Sequence, residues 1–432
     1  PSAIILWMVG RGSGLAGHQE PDNMSSHEFG DGPNSLYEET RLPEFNIVRA
    51  RRETPGAENV LHFNNAGAAL MPEVVSQAVN RHLQLESEIG GYEAAARAAR
   101  PLARVYDVVA NLINGHPSEV AIVENATRAW DMAFYGMSFQ TGDRILTCRT
   151  EYASNYIAFL QVARKTGAVI DVVPSDDSGQ VDVNALANMI DDRVKLIAIT
   201  HVPTNGGLVN PAAGVGQVAN AARIPFLLDA CQSVGQMPID VADIGCDMLS
   251  ATGRKYLRAP RGTGFLWVRD GMLDKLEPPF LDLHAASWTG PDTYELQPDA
   301  KRFENWEGYV AGRAGLCAAA EYAQAWGLDK SYARIQTLAA GLRDKLSSLP
   351  GVSVHDIGVE KCGIVTFQKT GLDADDSVEH LRDQGINISS SSPFSTRLDF
   401  EDRGLDTLLR ASVHYYNTDA EIERFCEAVE GL

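Results

Sequence analysis

The chain of 432 residues is 44% apolar and 22% charged, the make-up of a soluble globular protein too long for one small core. Its 37 Lys and Arg against 57 Asp and Glu leave a net charge of −20, which repels phosphate backbones and anionic membrane surfaces and argues against a nucleic-acid partner. The six cysteines form no C-x-x-C pair and no metal-ligand spacing, so no metal site and a reducing, cytoplasmic setting are expected. No apolar run approaches the roughly 20 residues that span a bilayer, so no membrane partner is expected either.

The start, PSAIILWMVGRGSGLAG, has no basic segment ahead of its apolar run, which leaves a secretory signal poorly supported and Met24 a candidate start. Its Gly10, Gly12 and Gly14 imitate a dinucleotide loop, but the following residues are too polar and broken for the helix such a loop needs. Residues 1–60 are expected to form an N-terminal arm, partly disordered and with little core of its own. Apolar runs then alternate with helix-like stretches: RILTC near 146, VIDVV near 171, KLIAITHV from Lys195, FLLDA from Phe226 and GTGFLWV from Gly262. That alternation predicts an α/β domain over residues 61–312, built on a mostly parallel sheet. From 313 to 432 two long helical patterns, two short strand-like runs (VSVHDI and GIVTFQ) and a final helix, DAEIERFCEAVEGL, predict a smaller α+β domain.

Polar residues just beyond strand ends are where an open α/β sheet binds its ligand. FLLDACQSV puts Asp229 at such an end, a costly place for a carboxylate unless a cation meets it. SATGRKYLRAPRGTGFLWV then puts Lys255 in a Gly-rich loop before another strand. A buried Asp beside a pyridinium nitrogen keeps it protonated, and a lysine supplies an aldehyde anchor, which is the equipment pyridoxal phosphate requires.

The string D-x-x-Q, a further strand, then T-x-R-K and P-R-G-x-G-F-L resembles the class V aminotransferase and cysteine desulfurase family of fold-type I pyridoxal-phosphate enzymes, from about Asn65 to the C-terminus. The resemblance implies that Lys255 holds the cofactor as a Schiff base and then serves as the base at Cα. It pairs Asp229 with the pyridine nitrogen, Gln232 with the phenolic oxygen and Thr252 with the phosphate. NATRAW looks like the phosphate loop, with Ala126 and Thr127 at a helix start; an ordinary helix cap is the plainer alternative. In TEYASN, Tyr152 stands where the family usually has a stacking His, and a phenol cannot replace imidazole in proton transfer at neutral pH. In THVPTNGG, Thr204 or Asn205 is implied near the phenolic oxygen, against the alternative of a plain polar turn. FNNAGAALMP and LRASVHYYNT resemble the segments that bind the substrate carboxylate, through Asn65 and Arg410, although an Arg there could instead pair with a structural acid.

A desulfurase of this family would need a cysteine in the stretch NISSSSPFSTRLDFEDRGLDTLLR, and none is present. With Arg254 where desulfurases have His, and H-Y-Y-N-T after Arg410, the chain resembles the subgroup of isopenicillin N epimerase-like proteins, cystine C–S lyases and hercynylcysteine sulfoxide lyase. The expected reaction is β-elimination from a cysteine-derived substrate. Transamination and epimerisation are the enzymatic alternatives, and a binding or regulatory protein of the same fold is the non-catalytic one. The resemblance also implies a homodimer, with DAKRFENWEGYVAG from Asp299 near the partner's cofactor.

Overall fold

A computed structural model of the chain describes residues 45–432. Gly10, Gly12, Gly14, Met24 and most of the expected arm lie outside the described residues. The part of the arm that is described differs from an extended segment: Ile47–Arg52 is a helix capped by the Asn46 side chain, and Pro55–Glu58 is a 3-10 turn. Its order comes from packing, because Ala50 is fully buried and Phe45 stacks on Trp326 with ring centroids 4.9 Å apart.

The central sheet has seven strands: Val120–Val123 (β1), Arg144–Cys148 (β2), Val169–Val173 (β3), Val194–Thr200 (β4), Phe226–Asp229 (β5), Met248–Thr252 (β6) and Gly264–Val268 (β7). Their order is β1-β7-β6-β5-β4-β2-β3, and only β7 runs against the others. The period of two along each strand feeds two cores. Ile197, Ile199, Leu228, Phe265 and Trp267 enter one cluster, while Leu196, Ala198, Leu227, Leu266 and Val268 enter the other. Burial on both faces explains why these strands read as continuous apolar runs. Because the parallel strands share a direction, Cys148, Thr200, Asp229 and Thr252 finish along one edge of the sheet.

A second sheet, antiparallel, joins Val352–Val354 (β8), Ile364–Lys369 (β9), Ser389–Ser391 (β10) and Leu408–Ser412 (β11) in the order β8-β9-β11-β10. Helices Leu328–Ser348 and Asp419–Glu430 pack with it. The expected division at 312/313 falls inside helix Val310–Trp326, which packs on helices Glu73–Ile89 and Ala99–Leu112.

Arg258 ties the lysine loop to both ends of the described chain. It is 1% exposed, has φ of 62°, and donates to Leu70 O at 2.7 Å, Tyr415 Oη at 2.7 Å and Thr54 Oγ1 at 2.6 Å, with the Tyr416 ring 4.6 Å from its guanidinium carbon. Removing it takes the donor from the buried Tyr415 and Thr54 hydroxyls and from the half-buried Leu70 carbonyl, and a buried polar group left unpaired costs roughly 1–3 kcal/mol. Arg258→Met is therefore expected to lower the free energy of unfolding by about 3 kcal/mol, read as a lower urea midpoint at unchanged slope.

Candidate active site

The common strand edge opens on a cavity of ≈ 370 Å³. Asp229, 5% exposed, takes its place there because β5 is a fully buried four-residue strand that ends on it. Its Oδ1 accepts the Cys231 N–H at 2.9 Å and its Oδ2 accepts Asn155 Nδ2 at 2.9 Å. No ion pair among the described residues includes Asp229, so the carboxylate meets only neutral donors.

Lys255 follows β6 on a loop that closes at its own base. Gly253 N–H donates to Thr263 O at 2.9 Å, Ala259 N–H to Gly253 O at 2.8 Å, Arg258 N–H to Lys255 O at 2.9 Å, and Thr263 Oγ1 to Pro260 O at 2.6 Å. Gly253 is required by this closure, since a Cβ there would lie 2.3 Å from Thr263 Oγ1. Lys255 is half-buried at the cavity wall. Burial pulls its pKa below the usual lysine range, and the charges of Arg254 and Arg410 push the same way.

Ala126 and Thr127 begin the helix Ala126–Phe134, whose cap Asn125 accepts the Arg128 N–H at 2.9 Å. Gly264 lets β7 lie under this turn: a Cβ on it would come within 2.9 Å of the Asn125 carbonyl carbon. Ala126, Thr127, Tyr152, Thr204, Gln232 and Thr252 all line the cavity with Asp229 and Lys255.

Arg410, Asn205 and Asn65 do not line it. Arg410 lies behind Thr204, donating from Nη1 to Thr204 O at 3.0 Å and Oγ1 at 2.6 Å, while its buried Nε has no partner. Burial lowers its pKa to about 10. Asn205 turns away and donates to Asp399 Oδ2 at 2.6 Å. Asn65 is fully buried with its amide already engaged, Nδ2 donating to Ser412 O at 2.7 Å and Oδ1 accepting from Tyr416 Oη. The cavity-side contacts of its loop run instead through main chain, with Gln232 Nε2 donating to Ala66 O at 3.1 Å and Arg254 Nη1 to Gly67 O at 2.8 Å.

Sequence reasoning missed Asn155, Thr200 and Cys231 in the lining and Glu151 just behind it, and it assigned no contact to Arg254. One signal for the first group was available. Glu151 precedes Tyr152, which stands at the cap position of helix Ala153–Thr166, and Asn155 is in its first turn, so two polar residues flank one helix start. Glu151 is buried and accepts from Asn155 Nδ2 at 2.8 Å, Thr200 Oγ1 at 2.6 Å, Tyr152 N at 2.9 Å and, on its other oxygen, Thr147 Oγ1 at 3.0 Å. Burial raises its pKa to about 7 despite these donors.

The donor set fits pyridoxal phosphate. Lys255 offers an amine for an aldehyde, and Asp229 is a buried carboxylate with no cationic partner, suited to a protonated ring nitrogen. The helix start at Ala126 and Thr127, together with Thr252, offers neutral donors to a phosphate.

The family described as Aminotransferase class-V matches residues 60–425. A probable cysteine desulfurase of Methanothermobacter thermautotrophicus is 28% identical over 390 residues, 88% of this chain and 97% of that one. One from Xylella fastidiosa is 30% identical over 380 residues, 86% of this chain and 90% of its own length. Among solved structures, the apo cysteine desulfurase of Thermococcus onnurineus is similar at TM-score 0.83 and 25% identity, over 89% of this chain and 97% of that chain. The cystine C–S lyase C-DES in complex with its product, cysteine persulfide, gives a TM-score of 0.79 at 23% identity, over 87% and 99%, a likeness of fold.

Proposed function

Because the chain belongs to the aminotransferase class-V family, whose members work with pyridoxal phosphate, we propose that it is a C–S lyase that eliminates the β-substituent of a cysteine-derived amino acid. The observation that carries this reading is the absence of a thiol placed to take sulfur onto the enzyme. Among the described residues Cys231 is the only cysteine lining the cavity, and burial together with the charge of Asp229 raises its pKa, which keeps it a protonated, weak nucleophile. The stretch 389–396 comes back to the site, with Ser395 O accepting the Ala153 N–H at 2.9 Å, but it presents serines. Relatives named cysteine desulfurase and a structural neighbour named cystine C–S lyase both act at a cysteine C–S bond, which supports the substrate class.

Bound on Lys255, pyridoxal phosphate supplies an electron-accepting ring that stabilises charge at Cα. The chain does the rest. Asp229 holds the ring nitrogen protonated, while Ala126, Thr127 and Thr252 hold the phosphate. Gln232 and Thr204 serve the phenolic oxygen. Arg410, held behind Thr204 with its buried Nε unpartnered, is the cation we assign to the substrate carboxylate, by a charge-assisted hydrogen bond. Lys255 takes the Cα proton, and burial favours the neutral amine this step needs. One Cα–H and one Cβ–S bond break, sulfur departs as a thiol or persulfide, and the three-carbon remainder takes up water to give pyruvate and ammonia.

The same reading carries a homodimer in the cytoplasm. Trp306 and Tyr309, 59% and 43% exposed on the segment after Asp299, offer apolar surface to a second copy. All six cysteines are free thiols, as a reducing compartment keeps them. No helix of the described residues is long and apolar enough to cross a membrane.

Incubation with cystine or a cysteine S-conjugate is expected to release pyruvate in step with C–S cleavage, measured by a coupled lactate dehydrogenase assay. No pyruvate, with pyridoxamine phosphate accumulating from another amino acid, would replace elimination by transamination.

A further inference from the structure

Behind Asp229 lies a second buried carboxyl for which the reaction has no use. Asn155 connects the two: its one amide nitrogen carries two hydrogens and stands 2.8 Å from Glu151 Oε1 and 2.9 Å from Asp229 Oδ2, so each hydrogen serves one acid. Asn155 is 3% exposed and Glu151 4%, and no ion pair among the described residues includes Glu151. We propose that Glu151 and Asn155 are positioning residues for Asp229, the amide fixing the Asp229 carboxylate and the Glu151 charge behind it strengthening the grip on the cationic group that Asp229 faces.

The surroundings of the pair leave this charge uncompensated from behind. From β2 come the Thr147 hydroxyl and the Cys148 thiol, whose pKa burial and the nearby Glu151 carboxylate hold well above the usual range. From β4 comes the Thr200 hydroxyl, followed by His201, whose pKa burial lowers to about 4 and which is therefore neutral. The cations lie elsewhere: Lys255 and Arg254 line the cavity with Cys231 and Asp229, Arg410 is held behind Thr204, and Tyr152 contributes its main-chain N–H. Every hydrogen-bond partner of Glu151 is a donor, which suits the ionised form, while burial and the charge of Asp229 oppose it. The balance places its titration at about 7. Above that pH the extra negative charge is present. It then raises the proton affinity of any group held by Asp229.

The inference rests on Asp229 facing the bound cofactor, a part of the proposed function, and not on which bond the enzyme breaks. The experiment is a pH titration of the visible absorption band of the purified holoenzyme without substrate, for the wild type, Glu151→Gln, Asn155→Ala and the double variant. Glu151→Gln keeps shape and removes charge, so the midpoint is expected to fall by about one pH unit, tenfold in proton affinity. In the Asn155→Ala background the same substitution is expected to shift it by less than a third as much, because without the shared amide the two buried carboxyls repel unrelieved and Glu151 stays protonated, leaving little charge to remove. Asn155→Ser, small and polar, replaces Asn155→Ala with the same expectation should the alanine variant not fold. An unmoved midpoint in Glu151→Gln, or equal shifts with and without Asn155, overturns the inference. A chain that binds no cofactor has no band and overturns the proposed function instead, so the two failures are distinguishable.

Discussion

Lys255→Ala is expected to lose the borohydride-bleachable visible band and to lower pyruvate formation by about 10³–10⁴-fold. Two contributions act at one atom. The amine is the covalent anchor, and once the substrate has displaced it, it is the base at Cα; positioned general bases contribute about 10²–10⁴-fold by themselves. No other described group in the cavity can take over. Tyr152 is a phenol, the Cys231 thiol is held protonated, Asp229 is assigned to the ring nitrogen, and the Arg254 guanidinium is a donor with no acceptor site for a proton. The Lys255 side chain makes no hydrogen bond to a described residue, and its loop is closed by main-chain bonds that alanine preserves. The variant should therefore unfold at the same urea concentration as the wild-type apoprotein. A drop in stability alongside the lost activity would instead make Lys255 a structural residue, and a fully active variant would remove it from the mechanism.

Asp229→Asn is expected to cost about 10²–10³-fold in kcat/KM and to weaken pyridoxal-phosphate binding to the apoprotein. Removing one partner of a buried ion pair leaves the other uncompensated, at roughly 3–5 kcal/mol, and each 1.36 kcal/mol lost in the transition state is tenfold in rate. The shape of the side chain survives, and with it the Cys231 N–H bond to Oδ1. The loss should appear in kcat more than in substrate KM, because the carboxylate contact is assigned to Arg410. An equal rise in KM at unchanged kcat would mean that Asp229 serves binding alone.

The large sheet was legible because its inner strands are buried on both faces and so appear as apolar runs. Phe226–Asp229 is the clearest case, with a carboxylate at the end where hydrophobic logic forbids one. Lys255 was legible from the T-x-R-K string for the same reason: local sequence and local geometry coincide there. Asn65 was not, since what claims its amide is Ser412 and Tyr416, 347 and 351 residues further along. Asn205 is taken by Asp399 in the same manner, 194 residues away. Asn155 looked like an ordinary first-turn residue, and only the strand carrying Asp229, 74 residues later, turns it into a bridge between two acids. Arg258 sat inside the motif that identified the loop, yet its role depends on Thr54 and Tyr415 meeting around it.

The loop that carries Lys255 is tied across its base by the hydrogen bond from Gly253 N–H to Thr263 O. Its main chain is thus a fixed pivot, and the only moving part is a side chain of four methylenes. An amine on such a leash sweeps a short arc, so every proton it delivers or removes must lie on that arc. Choice of reaction then passes from the base to the substrate. Whichever bond at Cβ is weakest when Cα loses its proton is the one that opens, and a good sulfur leaving group is favoured without any residue dedicated to expelling it.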